Sequence, residues 1–282
     1  TGMLALFRQA DAKYNSGLFD FSKAGDQVTP GLAVDDKILK PILTDLYYPK
    51  SPYEFSVLPV EILGNVYEQF LGKVIRLTAG HQAKVEEKPE VKKAGGVYYT
   101  PAYIVNYIVK NTVGKMIEGK SPKQIKGLRV LDMACGSGSF LLGAYQYLLD
   151  HYQQWYAEHE PEKHGEAVVQ RGEAWRLLTA EKKRILTEHI FGVDIDRQAV
   201  EVTKLSLLLK VLEGESDETL GKQLSLWQER ALPNLERNIK CGNSLIGPDY
   251  FSGQFLPDAE ELRRVNPFGW AAEFPDAVPA GG

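Results

Sequence analysis

The sequence predicts an α/β domain with a parallel sheet, preceded by a helical N-terminal segment. Two short, mainly apolar runs at residues 128–134 and 190–195 indicate strands, and residues 238–241 are a third strand candidate. Each run ends in small or polar residues, and helical patterns lie between the runs. Strands that alternate with helices in this way pair in parallel, and the helices cover the sheet.

The N-terminal segment is predicted to cover residues 1–80. Apolar residues recur at helical spacing over residues 37–47 and again over residues 62–75. Gly80 is a typical stop signal for the second of these helices. The segment is therefore expected to consist mainly of helices.

A linker is predicted over residues 81–96, which are mostly polar and charged. The α/β domain is then expected to cover residues 97–282. Thr100 and Pro101 are typical of a helix start, with Thr as the N-cap and Pro at the first helical position.

Two further helices are predicted, over residues 140–156 and from Arg197 to about Leu212, the second capped by Asp196. Residues 158–180 are polar and are expected to form an inserted helix or loop.

Composition excludes several classes of protein. The chain has 282 residues, of which 44% are hydrophobic, and this apolar content is too high for a disordered protein. It has no apolar run long enough for a membrane span and no secretory signal, so we expect a cytoplasmic protein without membrane contact. The formal net charge is −4, so any contact with DNA must be local or lie outside this chain.

No metal site is expected. The two cysteines, Cys135 and Cys241, are too few for a disulfide scaffold or for a zinc site of their own. The five histidines are scattered, and none has a cysteine or carboxylate partner at the spacing of metal ligands.

The end of the first strand carries features of a ligand site. Ligands of open α/β sheets bind beyond the carboxyl ends of the strands. Here Asp132 places a carboxylate at a strand end, and Gly136 and Gly138 permit a sharp turn and a close approach of ligand to backbone.

The ends of the second and third strands complete the pattern. Asp194 is placed to accept hydrogen bonds from ribose hydroxyls, and Asn243 and Ser244 can bond an adenine edge. An ammonium group would suit Asp132. S-adenosylmethionine carries ammonium, ribose and adenine, and so matches the three strand ends in order. A simpler possibility is that the glycines only form a turn and that Asp194 only caps a helix.

Other nucleotide sites fit less well. The dinucleotide fingerprint requires a glycine where this sequence has Leu141, and Asp132 would repel a pyrophosphate. The P-loop pattern GxxxxGK[ST] does not occur in the sequence.

The motifs resemble those of DNA adenine-N6 methyltransferases of the type I, type IIG and phage-exclusion groups. The similar stretches are Gly96–Pro101 (motif X), Leu131–Leu141 (motif I), Gly192–Arg197 (motif II) and Cys241–Leu245 (motif III). Motif X precedes motif I, an order that is specific to the subclass with circularly shifted motifs. Tyr14–Phe19 and Leu63–Leu71 also resemble the helical N-terminal segment of the large fused enzymes.

The resemblance implies a class I S-adenosylmethionine-dependent methyltransferase fold of the Rossmann type, incomplete in this chain. Thr100 and Pro101 would hold the methionine carboxylate at a helix N-terminus. Asp132 would face the methionine amino group and Asp194 the ribose hydroxyls. Asn243 stands where relatives often carry Asp, so it keeps an acceptor but loses the charge. The other implied cofactor-binding positions are Tyr99, Met133, Ala134, Gly136, Gly138, Ile195 and Ser244.

The catalytic motif of the family, (Asn/Asp/Ser)-Pro-Pro-(Tyr/Phe), does not occur in the sequence. Asn266-Pro-Phe-Gly269 is a near match and otherwise reads as a plain turn. We expect residues 266–282 to lead up to the motif, with the chain truncated before it. The chain as given would then hold no catalytic residue and be inactive by itself.

The resemblance also implies a function for the intact protein. It would methylate N6 of a flipped adenine in double-stranded DNA, within a restriction-modification or phage-defence system. DNA would be recognised by regions outside this chain, in a C-terminal recognition domain or a specificity subunit. Two alternatives stay open: a non-catalytic regulatory or assembly module that binds S-adenosylmethionine, and a methyltransferase that acts on RNA or protein.

Overall fold

The computed structural model describes most of the chain, in several stretches. They are residues 2–14, 31, 33–51, 60, 62, 64, 66–67, 73–78, 80, 82–87, 100–215, 232–252 and 258–275. The chain divides into two units, one formed by residues 1–62 and 216–234 and the other by residues 63–215 and 235–282. The domain limits drawn from the sequence stay a prediction.

The first unit contains two described helices, α1 (Gly2–Tyr14) and α2 (Asp36–Asp45). Helix α2 begins where the side chain of Asp35 accepts a hydrogen bond of 2.9 Å from the backbone N–H of Lys37. The apolar spacing correctly predicts this helix, although it ends at Asp45 rather than near residue 47. None of its side chains is buried.

The second unit contains the parallel sheet and two antiparallel hairpins. Its described strands are β1 (Lys73–Leu77), β2 (Ala83–Glu87), β3 (Val130–Asp132), β4 (Val168–Arg171), β5 (Ala174–Leu177), β6 (Ile190–Asp194) and β7 (Ile239–Cys241). Its α-helices are α3 (Ala102–Val109), α4 (Lys115–Ile117), α5 (Pro122–Ile125), α6 (Ser139–Glu158), α7 (Thr179–His189), α8 (Arg197–Leu212), α9 (Ala259–Val265) and α10 (Trp270–Glu273). A π-helical turn (Lys110–Gly114) and two 3₁₀ turns (Pro161–His164 and Pro248–Phe251) complete the set.

The parallel sheet has the order β3-β6-β7, with Asp132 opposite Gly192 and Asp194 opposite Cys241. All three strands and the helices α6 and α8 were predicted from the sequence, whereas α7 was not. Asp196 caps α8 as predicted, because its carboxylate accepts a hydrogen bond of 2.8 Å from the N–H of Gln198.

Two sequence predictions of secondary structure are wrong, the first of them only in part. The helix predicted over residues 62–75 is confirmed at residues 62, 64, 66 and 67, which are helical. Its C-terminal end is instead part of β1, which pairs with β2 so that Ile75 lies opposite Val85. Both are β-branched residues, which favour strands. Strand β2 also occupies part of the range 81–96, where the sequence indicated a linker.

The second error concerns residues 158–180, which hold the hairpin β4–β5 rather than an inserted helix or loop. Gly172 adopts a φ of 61° in the turn between the two strands, a left-handed conformation that glycine favours.

Helices α3 and α6 pack closely beside the first strand end. A methyl group added at Gly143 would lie 2.5 Å from Cγ1 of Val105, so only glycine permits this approach. The core beneath is filled by fully buried side chains. They are Tyr145, Leu148, Tyr152, Ile185, Leu186, Ile190, Leu207 and Leu208. Among the described residues, no helix is both long and apolar enough to cross a membrane.

Candidate functional site

The carboxyl ends of β3, β6 and β7 lie side by side, and backbone hydrogen bonds continue beyond the strands. The N–H of Cys135 donates to the carbonyl of Val193 over 3.0 Å, and the N–H of Gly242 donates to the carbonyl of Asp194 over 2.9 Å. The three loops singled out in the sequence therefore meet at one edge of the sheet.

The loop after β3 is a tight turn with two left-handed glycines. Gly136 has a φ of 52° and Gly138 a φ of 88°, both disfavoured for other residues. A Cβ at Gly138 would lie 2.9 Å from the side chain of Thr203, whereas a Cβ at Gly136 would meet nothing within 4 Å. The loop is thus packed on one side and leaves open space beside Gly136.

Asp194 fastens this loop to the end of β6. One of its carboxylate oxygens accepts a hydrogen bond of 2.8 Å from the N–H of Gly136, and the other accepts one of 2.8 Å from the N–H of Asp196. Each oxygen keeps a further lone pair. The sequence analysis considered ligand binding and helix capping for Asp194 and missed its contact with the glycine loop.

Asp132 is half-buried and only partly satisfied. Its Oδ1 accepts a hydrogen bond of 3.0 Å from the N–H of Ala134, and no other residue of the described chain bonds the carboxylate. Burial raises the pKa of Asp132; the Ala134 hydrogen bond opposes this shift and the negative charge of Asp194 adds to it. A cationic group placed here would stabilise the charged carboxylate.

Asn243 is held within its own loop. Its Oδ1 accepts a hydrogen bond of 3.1 Å from the N–H of Leu245, which uses one of the two lone pairs of the predicted acceptor. The side-chain NH₂ is left as a donor. Ser244, the neighbouring candidate, accepts a hydrogen bond of 3.1 Å from Nε1 of Trp270 through its backbone carbonyl.

Large apolar side chains are exposed just beyond the strand ends. Met133 is 53% exposed, Ile195 54% and Leu245 88%. Ala134 is exposed as well. Apolar surface in such a position is suited to cover a flat ring such as adenine.

Thr100 and Pro101 lie at the start of α3. Pro101 is the N-cap and the helix begins at Ala102, so the predicted assignment of Thr100 as N-cap is wrong by one position. In the described part of the chain, the N-cap residue makes no side-chain hydrogen bond to this N-terminus. The structure places both residues immediately before the helix that packs against α6, and Tyr99 lies outside the described residues.

Thr203 is a site residue that the sequence analysis missed. It is completely buried on α8, and its hydroxyl donates a hydrogen bond of 2.8 Å to the carbonyl of Gly136. Its side chain also fills the space against Gly138. In the sequence it is one position of an otherwise apolar helical stripe, so nothing there indicates its contact with the loop.

Gly64 and Tyr67 also support the strand ends. The hydroxyl of Tyr67 donates a hydrogen bond of 3.1 Å to Asp196, and a Cβ at Gly64 would lie 3.1 Å from Oγ of Ser137. Burial raises the pKa of Tyr67, and the charges of the two aspartates at the end of β6 add to the shift. Here the sequence did carry a signal, since both residues belong to the stretch Leu63–Leu71 that showed the resemblance.

The near match to the catalytic motif is part of the sheet edge. Asn266 ends α9 in a left-handed conformation, and its carbonyl accepts a hydrogen bond of 2.7 Å from the N–H of Asn243. Pro267 forms a parallel bridge with Asn243, and buried Phe268 packs with Val193 and Phe274. The interpretation as a plain turn is therefore wrong, because this segment pairs in parallel with the chain beyond β7.

Comparison with protein families agrees with this geometry. Residues 59–231 match the family described as N-6 DNA Methylase. This chain belongs to the N-6 DNA methylase family. Residues 188–281 also match the family described as Eco57I restriction-modification methylase.

Curated relatives include restriction enzymes and methyltransferases. The type II restriction enzyme and methyltransferase RM.Eco57I of Escherichia coli is 36% identical over 262 residues, which cover 93% of this chain and 24% of that protein. The putative type II restriction enzyme and methyltransferase RM.MjaORFECS2P of Methanocaldococcus jannaschii is 31% identical over 224 residues, covering 66% of this chain and 16% of the relative. The adenine-specific methyltransferase BrxX of Escherichia coli is 25% identical over 240 residues, which cover 72% of this chain and 18% of that protein. The chain thus spans about a quarter or less of the length of these relatives.

Proposed function

We propose that this chain binds S-adenosylmethionine at the carboxyl edge of its sheet, as part of a protein that methylates N6 of adenine in DNA. The half-buried carboxylate of Asp132, beside an open glycine loop, is the observation that carries the proposal. Membership of a DNA methylase family supports a methyl donor and a DNA substrate. The adenine-specific relative supports N6 as the acceptor.

The donors and acceptors at the edge suit this ligand. Asp132 would accept hydrogen bonds from the ammonium group, whose charge would also relieve the repulsion by Asp194. The remaining lone pairs of Asp194 would accept from the ribose hydroxyls. Met133 and Ile195 would cover the adenine, and the free NH₂ of Asn243 would donate to a ring nitrogen rather than accept from the adenine amine.

The other predicted positions would contribute backbone and shape. The uncapped N–H groups at the start of α3, next to Thr100 and Pro101, would bind the methionine carboxylate. Gly136 and Gly138 permit close approach to the backbone. The list of proposed cofactor contacts is completed by Tyr99, Ala134 and Ser244.

When bound, the cofactor supplies a methyl group on a positively charged sulfur. The residues of this chain would bind and orient it, and positioning of this kind accounts for much of the rate of a two-substrate reaction. The sequence holds no (Asn/Asp/Ser)-Pro-Pro-(Tyr/Phe) motif to position the adenine amine. We therefore assign the positioning of the adenine amine to regions outside this chain. We also assign DNA recognition to such regions, in a further domain or a specificity subunit. A DNA substrate places the whole protein in the cytoplasm.

Calorimetric titration with S-adenosylmethionine tests the cofactor proposal. Asp132→Asn keeps an acceptor for the Ala134 N–H but removes the charge, so affinity should fall about tenfold, since a hydrogen bond to a charged group contributes about 1.5–3 kcal/mol. Asp150→Asn is the matched control, because Asp150 is an exposed carboxylate on α6 whose one hydrogen-bond partner among the described residues is Gln146. A folded parent that does not bind S-adenosylmethionine, or equal affinities of the two variants, would contradict the proposal.

A non-catalytic cofactor-binding module is the second candidate function. It is favoured because residues 266–268 pair and pack within the fold. Among the described residues, no group is then left to bind the adenine amine. Transfer of labelled methyl groups by the complete gene product separates the two candidates. Label in adenine of DNA supports the methylase, label in RNA or protein changes the substrate, and binding without transfer supports the module.

A further inference from the structure

Residues 110–129 form a strongly positive segment in an acidic chain. They contain six cationic residues and one carboxylate, Glu118, whereas the whole chain has a net charge of −4. All six cations are exposed. We call this set the lysine patch, and its members are Lys110, Lys115, Lys120, Lys123, Lys126 and Arg129.

The lysines of the patch lack carboxylate partners in the part of the chain that the structure describes. Several lysines elsewhere are paired, for example Lys163 with Glu160, Lys204 with Glu201 and Lys240 with Glu273. Several unpaired cations on one short segment repel one another, and an anionic partner would relieve that repulsion.

Three members of the patch share one surface. Lys110, Lys115 and Lys120 line a single cavity of about 480 Å³. Lys123 and Lys126 follow along the chain, on and just after α5. The ring Nε2 of His151 lies 2.8 Å from the carbonyl of Lys120, which ties this loop to α6. The backbone that carries the charges is therefore fixed before any partner binds.

The surroundings favour an extended polyanion over a small anion. Two carboxylates, Glu118 and Glu158, also line the cavity and would repel a small anion inside it. Lysine side chains are flexible point charges that suit a row of phosphates without fixed geometry. Phosphate contacts of this type give affinity without reading the base sequence.

The patch lies at the edge of the sheet opposite the proposed cofactor site. Arg129 directly precedes β3, whereas Asp132 stands at the other end of that strand. His151 lies twelve residues beyond Ser139 along α6, about 18 Å at the rise of an α-helix. The patch is therefore too far from the cofactor site to contact the base that would receive the methyl group.

We propose that the lysine patch binds the phosphate backbone of duplex DNA at a position away from the target adenine. The proposal rests on the proposed function for its choice of DNA as the polyanion. The contact would be independent of sequence and would add affinity from the face opposite the cofactor.

The test is the salt dependence of duplex binding, measured by fluorescence anisotropy with the full 282-residue chain. The triple variant Lys115→Gln, Lys120→Gln and Lys123→Gln removes three charges. Each phosphate contact contributes about 0.9 to the slope of log affinity against log salt, so the slope should fall by about 2.7 on two unrelated duplexes alike.

The control removes three exposed lysines of the first unit, as Lys37→Gln, Lys40→Gln and Lys50→Gln, with the same change in net charge. A parent that does not bind the duplex, or equal slopes for the two triple variants, would overturn the proposal. Loss of binding to poly-glutamate but not to DNA would overturn it too, in favour of an acidic protein partner. Calorimetric titration of the same samples with S-adenosylmethionine separates failure of the lysine-patch proposal from failure of the cofactor proposal. The patch variant should bind the cofactor as tightly as the parent does.

Discussion

Thr203 offers a sharp test of how the glycine loop is held. Its buried hydroxyl donates to the carbonyl of Gly136 over 2.8 Å, and its side chain abuts Gly138. Thr203→Val keeps the shape of the side chain and removes only the hydroxyl. The substitution therefore isolates the hydrogen bond from the packing.

The magnitude follows from the loss of one neutral hydrogen bond. Such a bond contributes about 0.5–1.5 kcal/mol, and more where the carbonyl stays buried without a partner. The loop that carries Gly136 would bind the cofactor. Part of the free energy lost with the hydrogen bond should therefore appear as weaker cofactor binding. We expect S-adenosylmethionine to bind about fivefold more weakly, which corresponds to about 1 kcal/mol.

The assay is calorimetric titration of the variant, paired with thermal unfolding. Thr187→Val serves as control, because the Thr187 hydroxyl bonds the carbonyl of Lys183 within α7, away from the loop. If Thr203→Val binds the cofactor as tightly as Thr187→Val does, the hydroxyl does not hold the loop in its binding conformation, and the reasoning is refuted.

Two further predictions follow from contacts outside the loop. Tyr67→Phe removes the hydrogen bond from the Tyr67 hydroxyl to Asp196. Because one hydrogen bond to a charged group is lost at a half-buried position, the substitution should weaken cofactor binding about two- to fivefold without unfolding the chain. An unchanged affinity in calorimetric titration would contradict this prediction. His189 should make stability fall in acid, because burial lowers its pKa below the ordinary value of 6.5 and its ring nitrogens bond Tyr152 and the Leu128 carbonyl. The unfolded chain then takes up the proton first, so the stabilisation present above pH 6.5 is lost as pH falls through the lower folded pKa. The difference in melting temperature between the parent and His189→Gln should shrink over that range, and a constant difference would count against the assignment.

The parallel sheet could be predicted from the sequence because its strands are short, apolar and bounded by turn residues. Strand β1 could not, because Val74 and Ile75 extend the helical spacing of the preceding residues and also suit a strand. Only the pairing with β2, where Ile75 lies opposite Val85, decides between the two. Hairpin β4–β5 was missed although Gly172 gave a turn signal, because the polar composition of the region suggested a loop.

The positions of the candidate site were predictable, but the way they are supported was not. Asp132 and Asp194 stand at strand ends, which local patterns identify. The contact of Thr203 with Gly136 depends on how α8 lies over the loop, and tertiary packing of that kind has no local sequence signal. The hydrogen bond from Leu245 to the side chain of Asn243 is local, yet the sequence gave no sign that one lone pair of this acceptor is used within the loop.

The two carboxylates of the site have different tasks. Asp194 accepts hydrogen bonds from the N–H groups of Gly136 and Asp196, so the loop is held in place before a ligand arrives and binding free energy is not spent on ordering it. Asp132 is held by one hydrogen bond, and its charge is disfavoured by burial and by Asp194. A ligand with a cationic group would therefore gain most at Asp132, while the geometry that admits it is set by Asp194. This division explains why two carboxylates stand so close together at one edge of the sheet: the charge of the ligand compensates one of them and the backbone compensates the other.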